Sequence, residues 1–186
     1  MIESTTMDFE LVFKTLLEKF AQQKINHALI GGFALHTAGY QRATNDIDFL
    51  IAKEDASKAK QILLALGYEE TNENEQFANF WHPMKPFGNV DFLFARSKYT
   101  ENMLKRAVEQ KFLNGQFKIK VVIPEDIIGL KIQASAHEKR RQQDIADIQA
   151  ILENNKSLDV NLIREYANLF NRTQEIEEML KRAEHA

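Results

Sequence analysis

Three aspartates stand in strand-like runs that are otherwise apolar: Asp46 and Asp48 in Asn45-Asp46-Ile47-Asp48-Phe49-Leu50-Ile51, and Asp91 in Asn89-Val90-Asp91-Phe92-Leu93-Phe94. Side chains alternate faces along a strand, so Asp46 and Asp48 point one way while Ile47 and Phe49 point the other. Two carboxylates side by side in such a strand repel one another and resist desolvation. A hard cation relieves both costs. Magnesium fits best, because it takes oxygen ligands and sits between a few carboxylates and substrate phosphates. Taken alone, Asp-x-Asp also describes a solvated strand end, and Asp91 an ion-paired or edge-strand aspartate. Gly31-Gly32, between a strand and a helix, adds a place where backbone N–H groups can approach a phosphate. A lone Gly-Gly is more often a simple turn, but the three features in this order are much harder to ascribe to coincidence than any one of them.

The elements that must position these residues can be read from periodicity. Phe9, Val12, Phe13, Leu16, Leu17 and Phe20 recur at helical spacing. Asn26 to Ile30 reads as a buried strand running into Gly31-Gly32, with a short helix from Phe33 to Ala38. Asn45 to Ile51 is a second strand, and Glu54 to Leu66 a helix stopped by Gly67. Strands follow at Tyr68 to Thr71, Phe77 to Trp81 and Val90 to Phe94, the last two separated by a turn containing Pro83, Pro86, Gly88 and Asn89. Thr100 to Gln110 has helical character, and Phe112 to Phe117 carries the Asn-Gly signal of a hairpin. From Pro124 onward the pattern is helical, with further helices around Asp144 to Ile151, from Asp159 and from Thr173, and a minor boundary at Asn154 to Ser157. Strands mixed with helices, then helices alone, predict an α+β fold: a mixed sheet flanked by helices, with a core over residues 1–123 that holds the three aspartates and a helical C-terminal region over 124–186 packed on it.

Composition narrows the partners. The 186 residues suffice for a self-standing core, and 24 Lys+Arg against 27 Asp+Glu give a formal charge of -3, with no global basic footprint for nucleic acid. The absence of cysteine excludes disulfides, cysteine-based zinc sites and thiol catalysis. Met1-Ile2-Glu3-Ser4 has neither the basic nor the apolar region of a secretory leader, and no apolar run approaches the ~20 residues of a membrane span, so a cytoplasmic protein is expected.

Gly-Gly, a short helix, Asp-x-Asp on a strand and a later Asp on a neighbouring strand resemble the DNA-polymerase-β-like nucleotidyltransferase superfamily. Many of its members have Gly-Ser where this chain has Gly31-Gly32. The segment Arg42-x-Thr44-x-Asp46-x-Asp48 resembles the branch containing AbiEii-type abortive-infection toxins. That branch also carries a block similar to Pro124-Glu125-Asp126-Ile127-Ile128-Gly129-Leu130-Lys131, followed by basic residues and an aspartate, here Arg140-Arg141-Gln142-Gln143-Asp144. The resemblance implies transfer of NMP from an NTP to an acceptor, tRNA or protein, with a cognate antitoxin as partner. It assigns two magnesium or manganese ions to Asp46, Asp48 and Asp91, with Asp91 nearest the acceptor hydroxyl. It assigns the triphosphate to Gly31, Gly32, Arg42 and Lys131. Asp144 and Asp147, three apart on one helical face, either pair with Arg140 or Arg141 or add Asp144 to the site. Trp81, His82, His36 and Tyr40 are weaker candidates for pocket walls, and His137 to Arg141 reads as a solvated helix face. Competing classes are a small-molecule, antibiotic-type nucleotidyltransferase and a non-catalytic nucleotide-binding module on the same fold.

Overall fold

The computed structural model describes residues 7–136 and 138–184, and only the backbone of 138–140. In chain order the elements are α1 (Phe9–Gln22), β1 (His27–Ile30), α2 (Gly31–Thr37), β2 (Asp46–Ala52), α3 (Ala56–Ala65), β3 (Glu69–Glu73), β4 (Phe77–Trp81), β5 (Asn89–Ala95), α4 (Lys98–Arg106), β6 (Val108–Phe112), β7 (Phe117–Val121), α5 (Pro124–Ala134), α6 (Glu138–Asn154), α7 (Val160–Leu169) and α8 (Thr173–Ala183). Seven strands form one mixed sheet in the order β3-β4-β5-β2-β1-β7-β6. The central neighbours β2 and β5 run parallel, as do β1 and β7, and the remaining pairs are antiparallel. This is the mixed α/β architecture that the residue pattern predicts.

Local chemistry explains many boundaries. Asp8 accepts a hydrogen bond from the Leu11 N–H at 3.0 Å and so satisfies one orphan donor at the start of α1. Asp159 does the same for α7 through the Asn161 and Leu162 N–H groups. Asn114 and Gly115 take positive φ in the β6–β7 connection, where Phe112 pairs with Phe117. Several boundaries shift by one or two residues from the sequence reading, and one stretch changes class. The helix expected to reach Gln110 ends at Arg106, and Val108 to Gln110 belong to β6, because pairing with Ile119 to Val121 outweighs local helical propensity.

The chain divides into two compact units: Met1–Phe33 with Ala43–Val122, and Ala34–Arg42 with Ile123–Ala186. The first holds the sheet. One face of β2, β5 and β4 is fully apolar and buried, through Ile47, Phe49, Val90, Phe92, Ala78 and Phe80, and Val12, Phe13, Leu16 and Phe20 of α1 belong to the same core. Phe20 and Phe49 ring centroids lie 5.3 Å apart and Phe13 and Phe49 6.2 Å apart. The second unit is helical and buries Ile127, Ile128, Ile148, Ile151, Ile163 and Met179. Among the described residues no helix is long and apolar enough to cross a membrane.

His27 makes the sheet unit sensitive to acid. Its ring lies 4.8 Å from Phe20 and 5.7 Å from Phe49, and its Nδ1 is 2.9 Å from the Ile25 carbonyl, to which it donates. Burial pushes its pKa below the ordinary 6.5, the nearby Lys120 charge pushes the same way, and the Ile25 carbonyl opposes them. The folded protein then binds this proton more weakly than the unfolded chain. The stability concerned is complete above the unfolded pKa and is lost as pH falls through the window below 6.5. Thermal melts should show the midpoint falling from pH 7 to pH 5, and His27→Phe should flatten that slope.

Candidate active site

The three aspartates converge through strand register. Asp48 of β2 pairs with Asp91 of β5, and Asp46 pairs with Asn89. Directly paired residues share a face, so Asp46, Asp48, Asn89 and Asp91 all lie on the face opposite the phenylalanine core. All four are half-buried. Asn89 Nδ2 donates to Asp46 Oδ1 at 3.0 Å, which fixes the carboxylate nearest the start of β2. Like charges directly opposite on neighbouring strands destabilise the pairing, so Asp48 against Asp91 is a cost that the fold carries at this point. Among the described residues no three acidic or histidine side chains are already gathered at ion-binding distance. The register supplies a facing pair and a third carboxylate one row away.

Gly31 and Gly32 begin α2 immediately after β1, whose Ile30 pairs with Asp48 on the other side of β2 from Asp91. Gly31 has φ +65°, and a Cβ there would overlap the Asp48 carboxylate. A Cβ on Gly32 would lie 2.6 Å from Thr44 Oγ1 and 2.7 Å from Thr44 Cβ. The two glycines therefore make room for two side chains of the approach to β2. Thr44 Oγ1 donates to the Asp46 carbonyl at 3.3 Å. Gly31→Ala must leave the left-handed region or displace Asp48. A non-glycine residue there costs roughly 1–2 kcal/mol from backbone strain alone. We expect a lower melting temperature together with loss of activity, and unchanged values for both would mean that Asp48 can move aside freely.

The other two residues assigned to phosphate lie in the helical unit, in a network of their own. Lys131 Nζ is 2.8 Å from Asp144 Oδ1 and 2.6 Å from Asp147 Oδ2, and Arg42 Nε is 3.1 Å from Asp147 Oδ1. Gln143 Nε2 also donates to Asp147 Oδ1 at 2.9 Å. Lys131, Asp144 and Asp147 are 7%, 2% and 0% exposed. Asp144 and Asp147 do share a helical face, as expected. Arg141 pairs with Glu175, and the Arg140 side chain lies outside the described residues. Among the described residues the two carboxylates meet Lys131 and Arg42. Partners this far apart in sequence leave no local signal.

The weaker candidates separate clearly. His82 is buried, with Met84 N–H donating to its Nδ1 at 3.0 Å, its Nε2 3.2 Å from the Leu66 carbonyl and its ring 4.4 Å from Phe87. It is a packing residue of the sheet unit. Trp81 is 44% exposed. His36 Nε2 lies 3.4 Å from the Arg42 carbonyl, and Tyr40 is half-buried. His137 lies outside the described residues. Asn89 and Asn79 (the partner of Asp91 on β4) are not singled out by the sequence, and Thr44 enters only within the Arg42-x-Thr44-x-Asp46-x-Asp48 motif. Their signal was parity, since Thr44 stands two before Asp46 and Asn89 two before Asp91.

A family model described as an uncharacterised nucleotidyltransferase matches residues 2–186. No curated protein matches the sequence. Among solved structures the chain is similar to the antibiotic-resistance factor ANT(2'')-Ia in solution, with 14% identity, 97% of this chain and 100% of that one covered, and a TM-score of 0.65. It is also similar to an antigenic nucleotidyltransferase-like protein from Paracoccidioides brasiliensis, at 19% identity, 96% and 95% coverage and a TM-score of 0.56. A third is the lincosamide antibiotic adenylyltransferase LnuA in its lincomycin-bound form, at 16% identity, 82% and 100% coverage and a TM-score of 0.55. At these identities the likeness is one of fold.

Proposed function

Because this chain belongs to the uncharacterised nucleotidyltransferase family, we propose that it moves NMP from an NTP to an acceptor hydroxyl at Asp46, Asp48 and Asp91. The observation that carries the reading is the facing pair Asp48 and Asp91, joined by Asp46, half-buried on the face of β2 and β5 opposite the phenylalanine core. The donor set suits magnesium or manganese: hard oxygen ligands, few in number, with phosphates and water completing the coordination. Bound there, such ions would neutralise charge on the triphosphate and sharpen the attacking oxygen.

The protein's own part follows from position. Asp91, on the strand beyond β2, accepts the acceptor's proton. The acceptor oxygen then bonds to the α-phosphorus, and the bond from that phosphorus to the bridging oxygen breaks and releases pyrophosphate. Asp46, steadied by Asn89, and Asp48, seated over Gly31, keep their carboxylates fixed through that exchange. The start of α2 lies on the opposite side of β2 from Asp91, which suits it to the triphosphate. Contact of Arg42 and Lys131 with phosphate is a further part of the proposal, measured separately below.

The test is incubation of the purified protein with each α-labelled NTP, magnesium and a cell extract, followed by identification of what becomes labelled. Label on a product with release of pyrophosphate, lost on chelation, supports the reading. Absence of any labelled product together with absence of NTP binding removes it in favour of a non-catalytic module. The resemblance to AbiEii-type toxins adds a tRNA or protein acceptor and a cognate antitoxin. Label on macromolecules would support that addition, and label confined to small molecules would favour the antibiotic-type reading.

A further inference from the structure

We infer that the chain associates with a second copy of itself, edge to edge through β6 in antiparallel register about Gln110, so that the two sheets continue as one. The inference stands on strand order, register and side-chain type, and it is independent of the nucleotidyl-transfer reading.

The sheet has two outer strands, β3 and β6, and their edges are left in different states. An outer strand presents a row of backbone N–H and C=O groups ready to pair with another chain, and bulges and charge blunt such edges. β3 has both devices. Its register with β4 shifts between Glu70 and Asn72, and Glu69, Glu70 and Glu73 stand along it. β6 is regular, pairing with β7 through consecutive residues from Val108 to Phe112 without a shift. Among the described residues no other strand pairs with β6, and no backbone hydrogen bond reaches it from a helix or loop. Val108, Glu109 and Lys111 are exposed.

The strand Val108-Glu109-Gln110-Lys111-Phe112 complements itself when reversed. A two-fold axis at Gln110 brings Glu109 opposite Lys111 of the second copy, Lys111 opposite its Glu109, and Val108 opposite its Phe112. Such a contact closes after two copies, whereas β6 against β3 of another copy would run head to tail without end. Alternation puts Glu109 and Lys111 on one face and Val108, Gln110 and Phe112 on the other. On the first face the single chain is short of acid: Lys111 pairs directly with Lys118, and Glu109 with Lys120. Glu109 also meets Lys118 at 3.7 Å. Like charges directly opposite destabilise a pairing, so Lys111 carries a cost that a carboxylate on its other side relieves. Glu109 of the second copy is that carboxylate. On the other face Phe112 is anchored in the core, its ring 5.1 Å from Phe13, while Val108 at the far end is 44% exposed. Pairing sets this valine beside Phe112 of the second copy. A contact this short falls below the roughly 1,200 Å² of a standard interface, so the dimer is weak and concentration-dependent.

Sedimentation velocity on the full chain, from about 10 μM to about 1 mM, covers the range of weak association. The wild type is expected to pass from monomer to dimer as concentration rises. Glu109→Lys and Lys111→Glu each set like charges opposite one another twice across the axis, and each should weaken association about tenfold. The double variant Glu109→Lys/Lys111→Glu exchanges the pattern without breaking it and should recover the dimer. Lys111→Gln separates two roles of an edge lysine. A lysine that guards the edge against pairing gives a variant that associates more strongly, and one that meets Glu109 gives a variant that associates less. Melting curves on the same samples check that each variant is folded, and Glu109→Gln replaces Glu109→Lys if the latter melts early. A wild type that stays monomeric throughout overturns the inference. So does a dimer indifferent to the charge exchange, a stronger dimer in Lys111→Gln, or a series of species growing beyond two copies.

Discussion

Asp48→Asn will cost at least about 10²- to 10³-fold in nucleotidyl transfer, the scale seen when one fixed electrostatic contributor is removed from a transition state. The fold will not suffer. Asp48 faces Asp91 across β2 and β5, and its neighbour Asp46 projects from the same face. Neutralising the central member relieves two like-charge contacts, and the new amide can donate to Asp91 where the carboxylate could only repel it. Relief of roughly 0.2–1 kcal/mol corresponds to a melting temperature raised by up to about 4 °C in a protein of this size. The measurement is paired: melts in chelator, and transfer in magnesium. Wild type should gain stability when magnesium and NTP are added, and the variant should gain less. A variant that transfers near the wild-type rate would remove Asp48 from the chemistry. One that melts lower in chelator would show that its carboxylate is a structural group.

The second large effect concerns stability. Lys131→Met will lower the melting temperature by on the order of 10 °C, because removing one partner from a buried ionic set costs about 3–5 kcal/mol. The methionine keeps most of the aliphatic stem, so the loss isolates the ammonium. Asp144 and Asp147 are then left nearly fully buried, with Arg42 still bound to Asp147. Combining Lys131→Met with Asp144→Asn should cost less than the sum of the two single changes, since the second removes a charge that the first has stranded. NTP calorimetry on the same variant provides the phosphate test. A ten- to hundredfold weaker NTP with little change for NMP, the worth of a charge-assisted contact, supports Lys131 at the β- or γ-phosphate. Unchanged affinity assigns it wholly to the network.

These two residues also mark how far the sequence could be read. Asp48 was legible because strand alternation is a local rule: Asp46, Ile47, Asp48 and Phe49 declare their faces without knowledge of the rest of the chain. The same rule reveals β1 to β5, and Asn114-Gly115 marks the hairpin between β6 and β7, although most of β6 itself reads as helix. Strand neighbours were not legible. The β2–β5 pairing is parallel and joins segments separated by a helix and two other strands, so no spacing announces that Asp91 will face Asp48. Lys131 was visible as a charge on an apolar helix in need of a partner. A phosphate and a pair of carboxylates satisfy that need equally well, and no local spacing announces that α6 packs against α5 and brings Asp144 and Asp147 to it. Gly31-Gly32 was visible as a place of close approach, but the atoms that approach are those of Asp48 and Thr44. Asn89 follows Gly88 in a turn signal, and its hold on Asp46 is visible only once the register is known.

The path of the chain between its two units bears on the order of synthesis. Ala34–Arg42 groups with Ile123–Ala186, although the whole stretch from Ala43 to Val122 lies between them in sequence. Two ties hold that segment: the Asn155 side chain donates to the Ala38 carbonyl at 2.7 Å, and Arg42 meets Asp147. On the ribosome the nine-residue stretch from Ala34 to Arg42 therefore emerges long before the helices that complete its surroundings. Until then Ala34, Leu35 and Ala38, each 0% exposed in the finished fold, lack that cover. The sheet can assemble once Val121 has been made, but the nascent chain carries this apolar stretch uncovered until α6 has followed. That interval makes it a natural point of engagement for a chaperone. A proteolytic fragment ending near Val122 would keep the liability permanently.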